Sequence, residues 1–132
     1  MNDTAIIIVD HGSRRSESNA LLERITQLFA DRYGEKFSIV EPAHMELAEP
    51  SIEAAYDKCV ARGARHVVVL PFFLAPGKHW TTDIPGLAAC AAYKYPNVTH
   101  RVAAPLGIDD LILELLHKRV TESLSLAEVS RA

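Results

Sequence analysis

The sequence predicts an α/β fold: a four-stranded parallel sheet flanked by helices. Three observations point to it. Extended apolar runs alternate with amphipathic stretches at helical spacing along the 132 residues. The stretch RHVVVL sets Val67, Val68 and Val69 side by side without polar alternation, the pattern of a central strand covered on both faces. No linker, repeat or low-complexity tract breaks the alternation, which with right-handed crossovers places a parallel sheet between helices. The length and the 48% hydrophobic content suit one compact domain spanning residues 1–132.

Each element has a local cause. Residues 4–10, carrying Ala5, Ile6, Ile7, Ile8 and Val9, read as the first strand. From Ser16, read as an N-cap, Leu21, Leu22, Ile25, Leu28, Phe29 and Tyr33 recur at helical spacing until Gly34. Residues 37–41 read as a second strand. A second helix starts at the Ser51 cap, turns Ile52, Ala55, Cys59 and Val60 inward, and stops at Gly63. The valine run forms the third strand. A third helix is expected from Asp83, with Pro85 in its first turn, ending before Pro96. Residues 98–103 make a fourth strand. Residues 109–124 form a last helix whose Leu111, Ile112, Leu115, Leu116 and Val120 suit core packing and leave room for a dimer contact.

Composition excludes several function classes. A net charge of −3 and no block of like charge give no long-range attraction to nucleic acid or acidic membranes. Cys59 and Cys90 lack CxxC spacing and read as reduced, buried thiols. The N-terminus has no basic leader region, and no apolar stretch approaches the roughly 20 residues that span a bilayer. A soluble cytoplasmic protein is expected, with neither a nucleic-acid nor a membrane partner.

In open sheets of this type, ligands bind beyond the carboxyl ends of the strands. His11 of VDHGSRR stands just past the first strand. His44 and Glu46 follow the second, His79 of LAPGKHWTTD follows the third, and Pro105, Leu106 and Gly107 follow the fourth. Two imidazoles and a carboxylate on one rim suit either a divalent metal or proton transfer near neutral pH. Gly12 and Ser13, near a helix start, with Arg14 and Arg15 beside them, suit a carboxylate or phosphate. Structural roles compete with these: His11 capping the sheet, Glu46 pairing with a lysine or capping a turn, Trp80 anchoring its loop, Phe72 and Phe73 packing in the core. His66, His100 and His117 are scattered and receive no chemistry.

Four segments in order, VDHGSRR, EPAHMELAEPSI, VVVLPFFLAPGKHWTTDIP and APLG, resemble the short sirohydrochlorin chelatases of the class II chelatase family. The resemblance covers nearly the whole chain and implies a chelatase-like half with flavodoxin-like winding. It implies that His11 and His79 hold the incoming metal, with His11 accepting protons. Substrate contacts would fall at Glu46 and along Phe72, Phe73, Leu74, Ala75, Pro76 and Gly77, while Ser13, Arg14, Arg15 and Lys78 orient the substrate's carboxylates. The wording is nearest to the sirohydrochlorin ferrochelatases of plants and some bacteria, which share the aspartate before HGS. Asp10 is expected either to orient the His11 ring or to cap its turn.

The expected reaction is insertion of a divalent metal into sirohydrochlorin, in siroheme or cobalamin biosynthesis. Fe2+ is favoured by the resemblance, and Co2+ and Ni2+ fit the same ligands. The metal is a co-substrate and no cofactor is permanently bound. The ending LAEVSRA carries no cysteine, so no iron–sulfur cluster is expected. Longer relatives fuse two such halves, so a homodimer is expected. The compartment would be the cytoplasm, or the plastid stroma for a plant or algal chain. The rival readings are a noncatalytic metal or tetrapyrrole carrier and a histidine phosphatase-like enzyme. The second is disfavoured, because that chemistry needs R-H-G and Asp10 stands where the arginine should be.

Overall fold

The structure, a computed structural model, describes residues 3–75 and 77–126, without the side chains of residues 78–81. Among the described residues eight elements alternate along the chain. They are β1 (Thr4–Asp10), α1 (Ser16–Tyr33), β2 (Ile39–His44), α2 (Ile52–Ala61), β3 (His66–Pro71), α3 (Lys78–Ala92), β4 (Thr99–Val102) and α4 (Asp110–Leu124). The four strands pair in parallel in the order β2-β1-β3-β4, so the expected α/β sheet is present.

Alternation along the strands divides the core in two. Ala5, Ile7 and Val9 of β1 face one side, with Ile39, Ala43, Val67 and Val69, and meet Ile52, Ala55, Tyr56 and Cys59 of α2 and Ile84, Ala88 and Ala91 of α3. Ile6, Ile8 and Val40 face the other side and meet Leu22 and Phe29 of α1. Strand β1 is therefore buried on both faces, and it carries His11 at its end. β3 is central as expected, yet its second face is thinly covered: Val68 and Leu70 are only partly buried. Helix α4 buries none of its residues.

Two caps follow the local chemistry. The Ser51 hydroxyl accepts from Ala54 N at 3.1 Å, and Asp109 Oδ1 accepts from Leu111 N at 2.9 Å. Helix α1 begins differently: Arg15 occupies the cap position without a side-chain bond. Asn19 instead reaches back to Ser13, accepting from its N–H at 3.0 Å and donating to its carbonyl at 2.8 Å.

Two boundaries depart from expectation in ways that move site residues. Strand β2 runs to His44, past Pro42, because it is an edge strand where a missing N–H donor is tolerated. His44 is thus a strand residue and not a loop residue. Helix α3 starts at Lys78, five residues before Asp83, so Pro85 lies inside it and not in its first turn. The backbone of His79 is accordingly helical.

At the outer side of α2, Asp57 takes hydrogen bonds from Lys94 Nζ at 3.0 Å and Tyr95 OH at 2.7 Å, which hold its carboxyl below the usual range. This tie secures α2 to the end of α3. Beneath it, burial pushes the Cys59 thiol up to about 12, with the nearby Glu41 carboxylate adding to the effect. Cys90 is exposed, against the expectation that both thiols are buried. Only the thiolate attacks, so DTNB at pH 8 should titrate one thiol promptly in the native protein and two after denaturation. Cys90→Ser should remove the prompt phase.

Candidate functional site

The site is built where β1 and β2 end. Beyond Asp10 and His44 the parallel ladder continues for two more bonds, Met45 N to Asp10 O at 2.9 Å and Glu46 N to His11 O at 3.1 Å. These bonds lay the loop after β2 across the loop after β1. Gly12 takes φ +92°, and a Cβ there would stand 1.8 Å from the Glu46 carbonyl oxygen. Only glycine meets both demands.

This arrangement brings two of the expected site side chains together. His11 Nε2 lies 3.4 Å from Glu46 Oε1, with the two side chains 51% and 53% exposed. Half-exposed nitrogen and oxygen donors at this distance can share a proton or a divalent cation. Among the described residues no group of three His, Cys, Asp or Glu side chains is assembled for a metal. His79, the expected second imidazole, has its backbone in the first turn of α3, and its side chain lies outside the described residues. Pro76 and the side chain of Lys78 also lie outside them.

The other rim segments converge as the fold predicts. Phe72 N donates to Val9 O at 2.7 Å, Leu106 N to Phe73 O at 2.9 Å, and Gly107 N to Leu74 O at 2.8 Å. The PFFL segment is thereby laced between the end of β1 and the turn after β4. Phe72 packs into the α1 side of the core and Phe73 into the α2–α3 side. Leu74, 58% exposed, and Ala75 turn outward. Gly77 caps α3.

Two readings of the rim are corrected. The Ser13 N–H and carbonyl are engaged by Asn19, and its hydroxyl accepts from Arg15 N at 3.0 Å, so this loop is a closed turn and not an array of open donors. Arg14 remains exposed beside it. Asp10 does not serve the His11 ring. Its Oδ1 lies 2.6 Å from Nδ1 of His44, its register partner on β2. His44 is wholly buried, and its Nε2 has no hydrogen-bond partner among the described residues. An unmet buried polar atom costs about 1–3 kcal/mol.

Beside Glu46, a cleft of about 430 Å³ opens between the loop after β2 and α3, lined by Met45, Glu46, Thr82, Asp83, Gly86, Leu87 and Cys90. Sequence reasoning missed this wall, although residues 83, 86, 87 and 90 are spaced to share one helix face. His66 and His100 lie at the strand starts, away from the rim. His66 hydrogen-bonds Thr99 Oγ1 and His100 packs edge-on against Tyr56.

The CbiX family model matches residues 5–123. The chain belongs to the CbiX family. It is 53% identical over 123 residues to the chloroplastic sirohydrochlorin ferrochelatase of Arabidopsis thaliana, which covers 93% of this chain and 54% of that protein. Among solved structures, SirB from Bacillus subtilis with Fe3+ is similar at a TM-score of 0.77 and 30% identity, covering 96% of this chain and 48% of that one. A CbiX protein from Marinobacter aquaeolei VT8 is similar at 0.76 and 29%, covering 92% and 97%. The chain spans about half the length of the first curated relatives it matches, with 54%, 38% and 44% of theirs.

The Gly12 contact is directly testable. Gly12→Ala must displace the Glu46 carbonyl or strain the backbone, and should cost about 2–3 kcal/mol in chemical denaturation. It should also weaken Co2+ binding by the free protein, read from the cobalt absorption band.

Proposed function

We propose that this CbiX-family chain is a sirohydrochlorin chelatase, with Fe2+ as the favoured metal and Co2+ or Ni2+ as alternatives. The observation that carries the reading is the half-exposed His11–Glu46 pair, 3.4 Å apart at the carboxyl rim of the sheet. The 53% identity to a protein named sirohydrochlorin ferrochelatase supports it.

Insertion replaces two pyrrolic protons by one divalent ion, so the site must strip water from the ion and accept protons. A neutral imidazole does both. His11 ligates the ion through its one free lone pair, and when the ion passes to the pyrrolic nitrogens the ring nitrogen so freed takes one of the two displaced protons. Glu46 stands close enough to receive the other proton or to hand the ion over. His79 is the proposed second ligand. Leu74 and Ala75 offer the macrocycle an apolar surface, backed by Phe72 and Phe73 from the core and continued by Pro76 and Gly77. Arg14 and Lys78 meet its carboxylates, which explains how an acidic protein holds an acidic substrate.

The working unit is proposed to be a homodimer of single chelatase units, acting in the cytoplasm or, for a plant or algal chain, the plastid stroma. Helix α4 buries no residue, and Leu111, Leu115, Leu116 and Val120 are all exposed along it. An apolar helix face left open in this way calls for a partner surface. The match to only 48% of the SirB chain makes a second copy the natural occupant.

Under anaerobic conditions, substoichiometric protein should accelerate the absorbance change of sirohydrochlorin on metallation. A shift that merely saturates at one equivalent would identify a carrier instead. His11→Ala should abolish insertion and His79→Ala should lower it about 10–100-fold. Wild-type rates in both variants would end the assignment. Light scattering should give twice the 14.5 kDa chain mass, and Leu111→Asp with Leu115→Asp should halve it.

A further inference from the structure

We infer that Asp10 and His44 are positioning residues for the His11–Glu46 pair, an inference that rests on the chelatase reading above. The two are register partners at the last residues of β1 and β2. Immediately beyond them the chain leaves both strands, and His11 and Glu46 follow one and two residues later. Their side chains close a bond of 2.6 Å, Nδ1 to Oδ1. A carboxylate accepts only, so the proton sits on Nδ1 and His44 donates.

The choice of histidine is costly at this place. His44 is wholly buried, and its Nε2 has no partner among the described residues. An aromatic hydrocarbon would fill the space without an orphaned nitrogen, so packing does not account for an imidazole here. What the imidazole adds is a clasp. The backbone bonds from Met45 to Asp10 and from Glu46 to His11 set the spacing of the two loops, and the side-chain bond ties the strand ends from which both loops spring. His44 also supports the turn itself: a Cβ built on Gly12 would lie 3.2 Å from His44 Cβ, so the ring's stem sits against the Gly12 backbone that aims His11. Being buried, His44 acts through His11 and Glu46 and does not touch the substrate.

The test uses four variants of the full chain. Asp10→Ala and His44→Phe remove the bond. Asp10→Asn keeps an acceptor oxygen, and His44→Asn keeps a donor near the Nδ1 position. The readouts are kcat, KM for sirohydrochlorin, Co2+ affinity of the free protein, and Tm. Removing the bond should lower kcat and Co2+ affinity about 10–100-fold with KM nearly unchanged, and both asparagine variants should recover most of the loss. His44→Phe should melt no lower than wild type, because it removes the orphaned nitrogen. Wild-type kcat and Co2+ affinity in His44→Phe would overturn the inference, as would losses that follow Tm across the series. A wild-type protein that binds Co2+ but inserts no metal defeats the chelatase reading alone, since Co2+ affinity still decides the clasp. A wild-type protein that does not bind Co2+ at all defeats both.

Discussion

The site depends on one close approach, the Glu46 carbonyl oxygen lying over Gly12. With no Cβ at residue 12 and φ at +92°, the loop after β2 descends onto the loop after β1, and the parallel ladder extends past both strands. That contact shapes the β1–β2 end of the rim. It brings an imidazole and a carboxylate from separate segments within 3.4 Å while leaving both half open to solvent. A bulkier residue would separate the loops and, with them, the two donors.

Rigidity beneath the site comes from burial on both sides of β1. Alternate residues of that strand enter two different core clusters, so the strand that delivers His11 cannot shift without disturbing both. The PFFL segment shares this logic. Phe72 and Phe73 lock into opposite sides of the core, and their neighbours Leu74 and Ala75 are pushed outward. The structural and functional readings of the two phenylalanines are therefore compatible: they pack in the core, and by doing so they present the outward pair.

Polar burial marks the same corner. The buried Glu41 carboxylate is answered by Arg62 and Lys58. At His44 one ring nitrogen is answered by Asp10 and the other is left unmet. The Tyr56 hydroxyl, packed against Tyr95 and His100 on the α2 side of the core, is the other such atom among the described residues. Coverage is also uneven elsewhere: α4 keeps its apolar residues exposed, and one face of β3 is only partly covered.

Local physics determined much of this protein from the sequence alone. Strand and helix alternation, the Ser51 cap, the Gly63 stop and the position of His11 at the end of a doubly buried strand depend on neighbours within a few residues, and all are present in the fold. Boundaries set by context were not legible: β2 passes Pro42 because it lies at an edge, and α3 begins before Pro85 despite the proline. The partners of the site residues were decided by tertiary structure. Glu46 meets His11 and not a lysine, Asp10 meets His44 and not His11, and Asn19 occupies Ser13. Each of these pairings depends on which strands lie side by side, in what register, and on how loops fold back. Periodicity carries no record of such cross-chain distances.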